Sequence, residues 1–224
     1  MSEKYMIHAC RKRYWYVTDF LIPEMLRQGI KLSQITVVLD IQGKGNLKMF
    51  IESLKSLPEE GTTWHLQDDV VISKAFKDVT SSDMQQDIIC GFCSQYDNLK
   101  EQTVEPKDAW YSFQCIKIPN RTAHDFVSWM KEVGKEKHKD WYKANKYDDS
   151  FFHEYLIEKR IKVFNHSPNL VENIDYLLGG SVINDNRGFV MKSQHWNEHE
   201  QVDEVILQIE QGGAYGDIQK SCNT

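Results

Sequence analysis

An alternation of strand-like and helix-like segments in the N-terminal third constrains the fold most strongly. Three short apolar runs have the character of buried strands, namely KYMIHAC, ITVVLD and TTWHLQ, and between them lie the helix-like segments YVTDFLIPEMLRQG and LKMFIESLKSL. Strands that are separated by helices need crossover connections, which produce parallel strands with helices on both faces. The pattern therefore predicts an α/β fold.

The rest of the chain continues the mixture in a less regular order. Strand-like runs (QDIICGF and AWYSFQCIKI) precede two helix-like segments (RTAHDFVSWMKEVGKEK and YDDSFFHEYLIEKR). We expect a single domain over residues 1–192 and a polar C-terminal extension over residues 193–224. Within that extension, VDEVILQIEQ predicts a short helix packed on the domain.

Composition limits the classes of partner and the compartment. The chain has 224 residues, 41% apolar and 27% charged, which is typical of a globular protein, and its formal net charge is -6. It therefore carries no overall basic field that would attract nucleic acid or anionic lipid. Five cysteines, no apolar leader and no apolar run near the ~20 residues of a membrane span predict a cytoplasmic protein with reduced thiols.

Two adjacent carboxylates, Asp68 and Asp69, follow the third predicted strand. Ligands of open parallel sheets bind beyond the carboxyl ends of the strands. One or two carboxylates together with phosphate oxygens commonly hold Mg²⁺ or Mn²⁺, and such a cation would relieve the repulsion between the two side chains. The alternative is a solvated turn, or a helix cap for the segment SKAF.

Other polar residues are predicted at the same sheet edge. Asp40 ends the second strand and could accept a hydrogen bond from a ribose or a base, or it could be an ordinary turn residue. Arg11 and Arg13 follow the first strand and could bind phosphate or base, or could be surface residues that confer solubility.

A second pair of carboxylates, Asp148 and Asp149, precedes an apolar helical stripe in YDDSFFHEYL. Aspartate is a favourable N-cap residue, which is the structural interpretation of the pair. The functional interpretation is a base that removes the proton from an acceptor hydroxyl.

These motifs, taken in order, resemble those of GT-A-type, nucleotide-sugar-dependent glycosyltransferases. The chain is most similar to small bacterial and phage proteins related to lipooligosaccharide and procollagen glycosyltransferases. The resemblance covers about residues 5 to 185 and is carried by four stretches, IHACRKRYWYVTDFLIPEML, GTTWHLQDDVVIS, SFQCIKIPN and YDDSFFHEYLIEKRIKVFNHSPNLVENI.

The resemblance implies a GT-A-like, Rossmann-type three-layer sandwich with a mixed, mostly parallel central sheet. It implies that Asp69, with Asp68 beside it, holds Mn²⁺ or Mg²⁺ against the diphosphate of a donor, most simply a UDP-sugar. Arg11 and Arg13 would help to bind the nucleotide, and Asp40 would bind its ribose or base. Asp149 or Asp148 would be the catalytic carboxylate.

One position departs from the family pattern. Related enzymes often have a metal-binding histidine shortly after P-x-L-V, where this chain has Asn173. Asparagine is a weaker, neutral ligand, so metal affinity could be lower, His166 or water could substitute, or dependence on metal could be reduced. Whether the sugar is transferred with inversion or retention of configuration is left open by the sequence.

The acceptor is also left open. It could be a glycan, or a hydroxymethylated base in phage DNA, although the acidic net charge disfavours DNA binding. Two other functions are compatible with the same motifs. One is a binding module that holds a nucleotide sugar without transferring it, and the other is a nucleotidyltransferase that releases pyrophosphate.

Overall fold

A seven-stranded sheet organises the molecule. The computed structural model describes residues 3–82, 88–92, 102–104, 113–178, 196 and 199–211. The strands lie in the order β2-β1-β3-β7-β5-β8-β6. Their bounds are β1 Lys4–Cys10, β2 Ile35–Asp40, β3 Thr62–Gln67, β5 Ile89–Cys90, β6 Gln102–Val104, β7 Cys115–Pro119 and β8 Val163–Asn165, and a separate two-stranded sheet pairs β4 Val70–Ile72 with β9 Val171–Asn173.

The directions of the strands confirm the mixed, mostly parallel sheet. β1 runs parallel to β2 and β3, β7 is antiparallel to both β3 and β5, and β5 is parallel to β8. β6 is antiparallel to β8. Five of these strands therefore share one direction, and β7 and β6 oppose it. The three N-terminal strands predicted from the sequence are the parallel group β2-β1-β3.

Helices cover both faces of this sheet. They are α1 Tyr14–Tyr16, α2 Ile22–Arg27, α3 Asn46–Lys55, α4 Phe76–Ser81, α5 Asn120–Trp129, α6 Lys135–Lys137, α7 Lys139–Ala144, α8 Asp148–Lys159 and α9 His199–Gln211. A 3₁₀ turn over Arg11–Arg13 and a π-helical turn over Val17–Leu21 join β1 to α2 through α1. A second π-helical turn, Met130–Gly134, continues α5.

Alternation along β1 divides the core into two layers. Tyr5, Ile7 and Ala9 face one apolar cluster, which includes side chains of α1, α2 and α4. Met6 faces the other cluster, which includes side chains of α3, α5 and α8. Because successive side chains of a strand point to opposite faces, this pattern requires a sheet buried on both sides. The molecule is therefore a three-layer α/β sandwich.

The C-terminal helix α9 packs on the first of these clusters. Val202 is buried there, and Val205, Ile206 and Ile209 are half-buried against it. Trp196 is also buried in this cluster. The division into residues 1–192 and 193–224 stays a prediction. In the part of the chain that the structure covers, no helix is both long enough and apolar enough to cross a membrane.

Candidate functional site

The sheet order places a topological switch point at the carboxyl ends of β1 and β3. The chain leaves β1 through α1 and α2 on one face and returns to β2, then crosses through α3 on the other face to β3. β2 and β3 lie on opposite sides of β1, and the connections that follow β1 and β2 run over opposite faces of the sheet. Ligands of open α/β sheets bind at such a switch point.

A buried ion cluster lies at this switch point. Asp68 and Asp69 form the turn between β3 and β4, and their residues are only 6% and 7% exposed. Arg13 Nη1 lies 2.6 Å from Asp69 Oδ2 and 3.3 Å from Asp68 Oδ1. The backbone N–H of Cys10, the last residue of β1, donates to Asp68 Oδ2 at 2.6 Å.

The alternative of a solvated turn or a helix cap does not hold for this pair. Both aspartates are buried, and in the first turn of α4 the N–H of Lys77 donates to Gln28 Oε1 at 3.1 Å rather than to either aspartate. Arg13 is also buried, at 4% exposure, with Nη1 directed at the two carboxylates. Arg11, in the same 3₁₀ turn, is exposed. The sequence analysis gives Arg11 and Arg13 the same predicted role, but the structure places them in different environments: Arg13 is buried and Arg11 faces solvent.

The charges of the cluster do not balance. Among the residues that the structure describes, Asp68, Asp69 and Arg13 together carry one excess negative charge when both carboxylates are ionised. Burial raises the pKa of Asp68 to about 6, and the charge of Asp69 adds to this rise while Arg13 opposes it. In the described structure, Asp69 Oδ1 is buried without a hydrogen-bond partner. A buried carboxylate oxygen without a donor is rare, because leaving it unsatisfied costs about 1–3 kcal/mol or more.

Asn173 lies directly beside the aspartate turn. β4 and β9 pair with Val70 opposite Asn173, and the N–H of Ile174 donates to the Asp69 carbonyl at 2.8 Å. Asn173 is 1% exposed, and its Oδ1 accepts the N–H of Asp175 at 3.2 Å. Asn173 is thus next to Asp69, as a metal ligand at this position would have to be. However, its side-chain oxygen Oδ1 already accepts the hydrogen bond from Asp175. His166 instead bonds to the Pro168 carbonyl through Nδ1, at 2.8 Å.

Asp40 organises the loop after β2. Its register partner in β1 is Cys10, so it lies at the same edge as the ion cluster. Its Oδ1 accepts the N–H of Lys44 at 2.7 Å, and its Oδ2 accepts the N–H of Gly45 at 2.9 Å. Each oxygen retains a lone pair, so a role toward a ribose stays a prediction.

Asp148 and Asp149 are the first two residues of α8. The N-cap position is Tyr147, whose side chain makes no capping hydrogen bond, so the prediction of an aspartate at the N-cap position is wrong. Asp148 is buried, and this burial, together with the adjacent Asp149, raises the pKa of its carboxyl group well above the ordinary value. Asp149 Oδ1 accepts the N–H and the hydroxyl of Ser150.

Two further features near this edge were not anticipated from the sequence. Asn145, just before α8, bridges to the loop after β2. The half-buried His8 of β1 and the buried His65 of β3 form a stacked pair, with His8 Nε2 3.0 Å from His65 Nδ1. Strand alternation placed both histidines on one face, but no local signal indicated that they would meet.

The described residues do not form a complete metal cage. Nowhere in those ranges do three or more histidine, cysteine, aspartate or glutamate side chains come together as a ligand set. Such a cage is not needed for Mg²⁺ or Mn²⁺ bound together with a diphosphate, because one or two carboxylates are sufficient when phosphate oxygens and waters complete the shell. The unsatisfied Oδ1 of Asp69 fits this type of site.

Comparison with known proteins finds only distant structural similarity. No family model and no curated protein matches the sequence. One similar solved structure is a Bacillus anthracis protein assigned as a glucose-1-phosphate thymidylyltransferase, with 6% identity and a TM-score of 0.44 over 77% of this chain and 89% of that one. Another is the glycosyltransferase GlyE of Streptococcus pneumoniae, with 9% identity and a TM-score of 0.38 over 96% of this chain and 64% of that one. Both TM-scores are below 0.5, so the activity has to be inferred from the residues of the site.

Proposed function

We propose that the protein is a metal-dependent glycosyltransferase that moves a sugar from a nucleotide-sugar donor, most simply a UDP-sugar, to an acceptor hydroxyl. The observation that carries this proposal is the buried Asp68–Asp69 pair at the switch point, which has one uncompensated negative charge and an unsatisfied Asp69 Oδ1. A divalent cation bound together with a diphosphate supplies both the missing charge and the missing partner.

The ion cluster presents Asp69 to the donor. Arg13 and the Cys10 N–H hold the carboxylates in place, so that Asp69 Oδ1 remains available as the direct ligand for Mn²⁺ or Mg²⁺. Asp68 and Asn173 flank that ligand. When bound, the cation would act as a Lewis acid that stabilises the departing diphosphate. The exposed Arg11 would contact the nucleotide phosphates at the same strand end.

The carboxylates of α8 would act on the acceptor. Asp148 holds its proton more tightly than an ordinary aspartate, because it is buried beside Asp149. Asp149 would therefore be the base that removes the acceptor proton in an inverting reaction. In a retaining reaction, it would orient the acceptor instead.

The first experiment is a thermal-shift screen of nucleotide sugars with Mn²⁺ or Mg²⁺, followed by measurement of UDP release. A ligand present at 100 times its Kd stabilises the folded state by about 2.7 kcal/mol, which is readily detected as a rise in Tm. We expect Asp69→Asn to remove the metal-dependent part of this rise and to lower kcat by roughly 10²–10³-fold. Asp125→Asn, an exposed aspartate in α5, is the matched control and should behave like the unmodified chain.

Other outcomes identify the competing functions. Release of pyrophosphate from a nucleoside triphosphate and a sugar phosphate would indicate a nucleotidyltransferase. Tight nucleotide-sugar binding without turnover would indicate a binding module, which the Asn173 departure favours. A metal-dependent shift that survives in Asp69→Asn, or the lack of any shift, would contradict the proposed site.

A further inference from the structure

Asn145 connects two parts of the candidate site that are far apart in sequence. It follows α7 in the left-handed conformation, with φ at 55°, which asparagine adopts more readily than most residues. Its Oδ1 accepts the N–H of Lys48 at 3.0 Å, and its Nδ2 donates to the carbonyl of Lys44. One side chain therefore bridges the turn before α8 and the loop before α3.

The bond to Lys48 supplies a cap that α3 otherwise lacks. Lys48 is the third residue of α3, and the N–H groups at the start of a helix have no partner within the helix. The residue at the cap position, Gly45, has no side chain with which to cap it. Asn145 performs this function from 97 residues further along the chain.

The bridged loop is the loop after β2, which Asp40 also binds. Asp40 accepts the N–H groups of Lys44 and Gly45, and Asn145 binds the carbonyl of Lys44. A Cβ at Gly45 would collide with the Asn145 side chain, and φ at Gly45 is +86°. Glycine is favoured there because the backbone φ is positive and because a Cβ would meet the Asn145 side chain.

We infer that Asn145 is a positioning residue that sets the location of Asp148 and Asp149 relative to the strand end that carries Asp40. This inference rests on the proposed function, in which Asp40 lies at the donor and Asp149 acts on the acceptor. Asp148 begins α8 only three residues after Asn145, so a shift of the bridge moves the start of that helix. Displacement of a reacting group by about 1 Å can cost on the order of 10²-fold in rate.

The test compares Asn145→Gly with Arg160→Gly. Glycine at position 145 keeps the left-handed backbone and removes both side-chain hydrogen bonds. Arg160 is the matched control, since it is the other non-glycine residue with φ of 55° in the described chain and lies exposed at the far end of α8. The assay uses the UDP-sugar chosen by the thermal-shift screen, with Mn²⁺ and with water as the acceptor.

We expect Asn145→Gly to lower kcat for hydrolysis by roughly 10–100-fold. The KM for the UDP-sugar, and the Kd of UDP with Mn²⁺ measured by calorimetry, should change less than about threefold, and Arg160→Gly should leave all three values unchanged. If Asn145 had only a structural role, its replacement would lower the Tm without a loss of kcat that exceeds the changes in KM and Kd. Asn145→Asp, which keeps the acceptor for Lys48 but loses the donor to Lys44, should give an intermediate loss and serves as the test if the glycine variant does not fold.

The remaining outcomes are equally decisive. Unchanged kcat in both Asn145 variants would overturn the inference, and so would a tenfold weaker Kd with unchanged kcat, because Asn145 would then serve the donor pocket. If the unmodified protein turns over no nucleotide sugar, the proposed function has failed. If it does turn over and the variants match it, only the role of Asn145 has failed.

Discussion

Arg13 shows how much a single residue can depend on its surroundings. From the sequence, Arg11 and Arg13 are equivalent candidates for nucleotide binding. In the structure, Arg13 is buried between Asp68 and Asp69, and Arg11 is exposed. Burial lowers the pKa of Arg13, but the two carboxylates outweigh that effect and raise it above the usual value. Arg13 therefore stays charged and acts as the counter-ion within the cluster.

Removal of this counter-ion should destabilise the protein. Arg13→Met leaves two adjacent buried carboxylates unpaired, and breaking a buried ion pair typically costs about 3–5 kcal/mol. Arg11→Met, two positions away and exposed, should change the free energy of unfolding by no more than about 0.5 kcal/mol. Urea denaturation at pH 7 measures both values. Equal stability of the two variants would show that the Arg13 contacts contribute little.

At the scale of secondary-structure elements, the histidine pair joins the neighbouring strands β1 and β3. The rings of His8 and His65 are stacked, with centroids 5.3 Å apart, and Phe50 of α3 packs its ring against both. Burial lowers the pKa of His8 to about 4 and that of His65 well below its ordinary value, to which the proximity of His8 also contributes. Both imidazoles are therefore neutral in the folded protein near pH 7.

This pair should make stability depend on pH below about 6.5. Between about pH 4 and 6.5, the unfolded chain binds protons at these histidines that the folded chain does not bind. The contribution of the pair to the free energy of unfolding is therefore fully present above pH 6.5 and is lost as the pH falls. For His8 alone, the loss at pH 4 is on the order of 3 kcal/mol. Urea denaturation between pH 4.5 and 7 measures this slope.

Replacement of the pair should isolate its contribution. A double variant, His8→Gln with His65→Gln, should have a smaller decrease in stability between pH 6.5 and 4.5 than the unmodified protein. The comparison of slopes removes the effect of other titrating groups, including Asp68, whose raised pKa acts in the opposite direction. A double variant with an unchanged slope would rule out the pair as the source.

At the scale of the whole molecule, the C-terminal helix belongs to the same packed body as the N-terminal strands. Val202 of α9 lies in the apolar cluster that includes Ile7, Tyr16 and Val71. Leu207, on the same helix, is 53% exposed. One face of α9 thus contributes to the core of the layer that contains α1 and α2.

Charge substitutions on the two faces of α9 should have different effects. Val202→Asp places a carboxylate among apolar side chains and should cost roughly 3 kcal/mol, because an unpaired buried charge is strongly unfavourable. Leu207→Asp should cost no more than about 0.5 kcal/mol, because this position is exposed. Thermal denaturation of the full chain distinguishes them. A similar Tm for both variants would show that α9 does not contribute to the stability of the core.

Local periodicity was sufficient to predict that β1, β2 and β3 are parallel, that helices lie between them and that Asp40, Asp68 and Asp69 lie at one sheet edge. These features follow from apolar patterning over short segments and from the rule that parallel strands end at one edge. The antiparallel insertion of β7 between β3 and β5 did not follow from that pattern, because a strand's own residues do not specify its neighbours.

The sequence by itself therefore determined the class of fold and the residue types at the site. Only the tertiary structure decided that Arg13 would pair with the aspartates, that His8 would meet His65 and that Asn145 would hold the loop after β2. The physical reason is that each of these contacts joins residues more than 50 positions apart. Their geometry depends on how whole elements pack, whereas helix and strand periodicity depends on neighbours within a few residues.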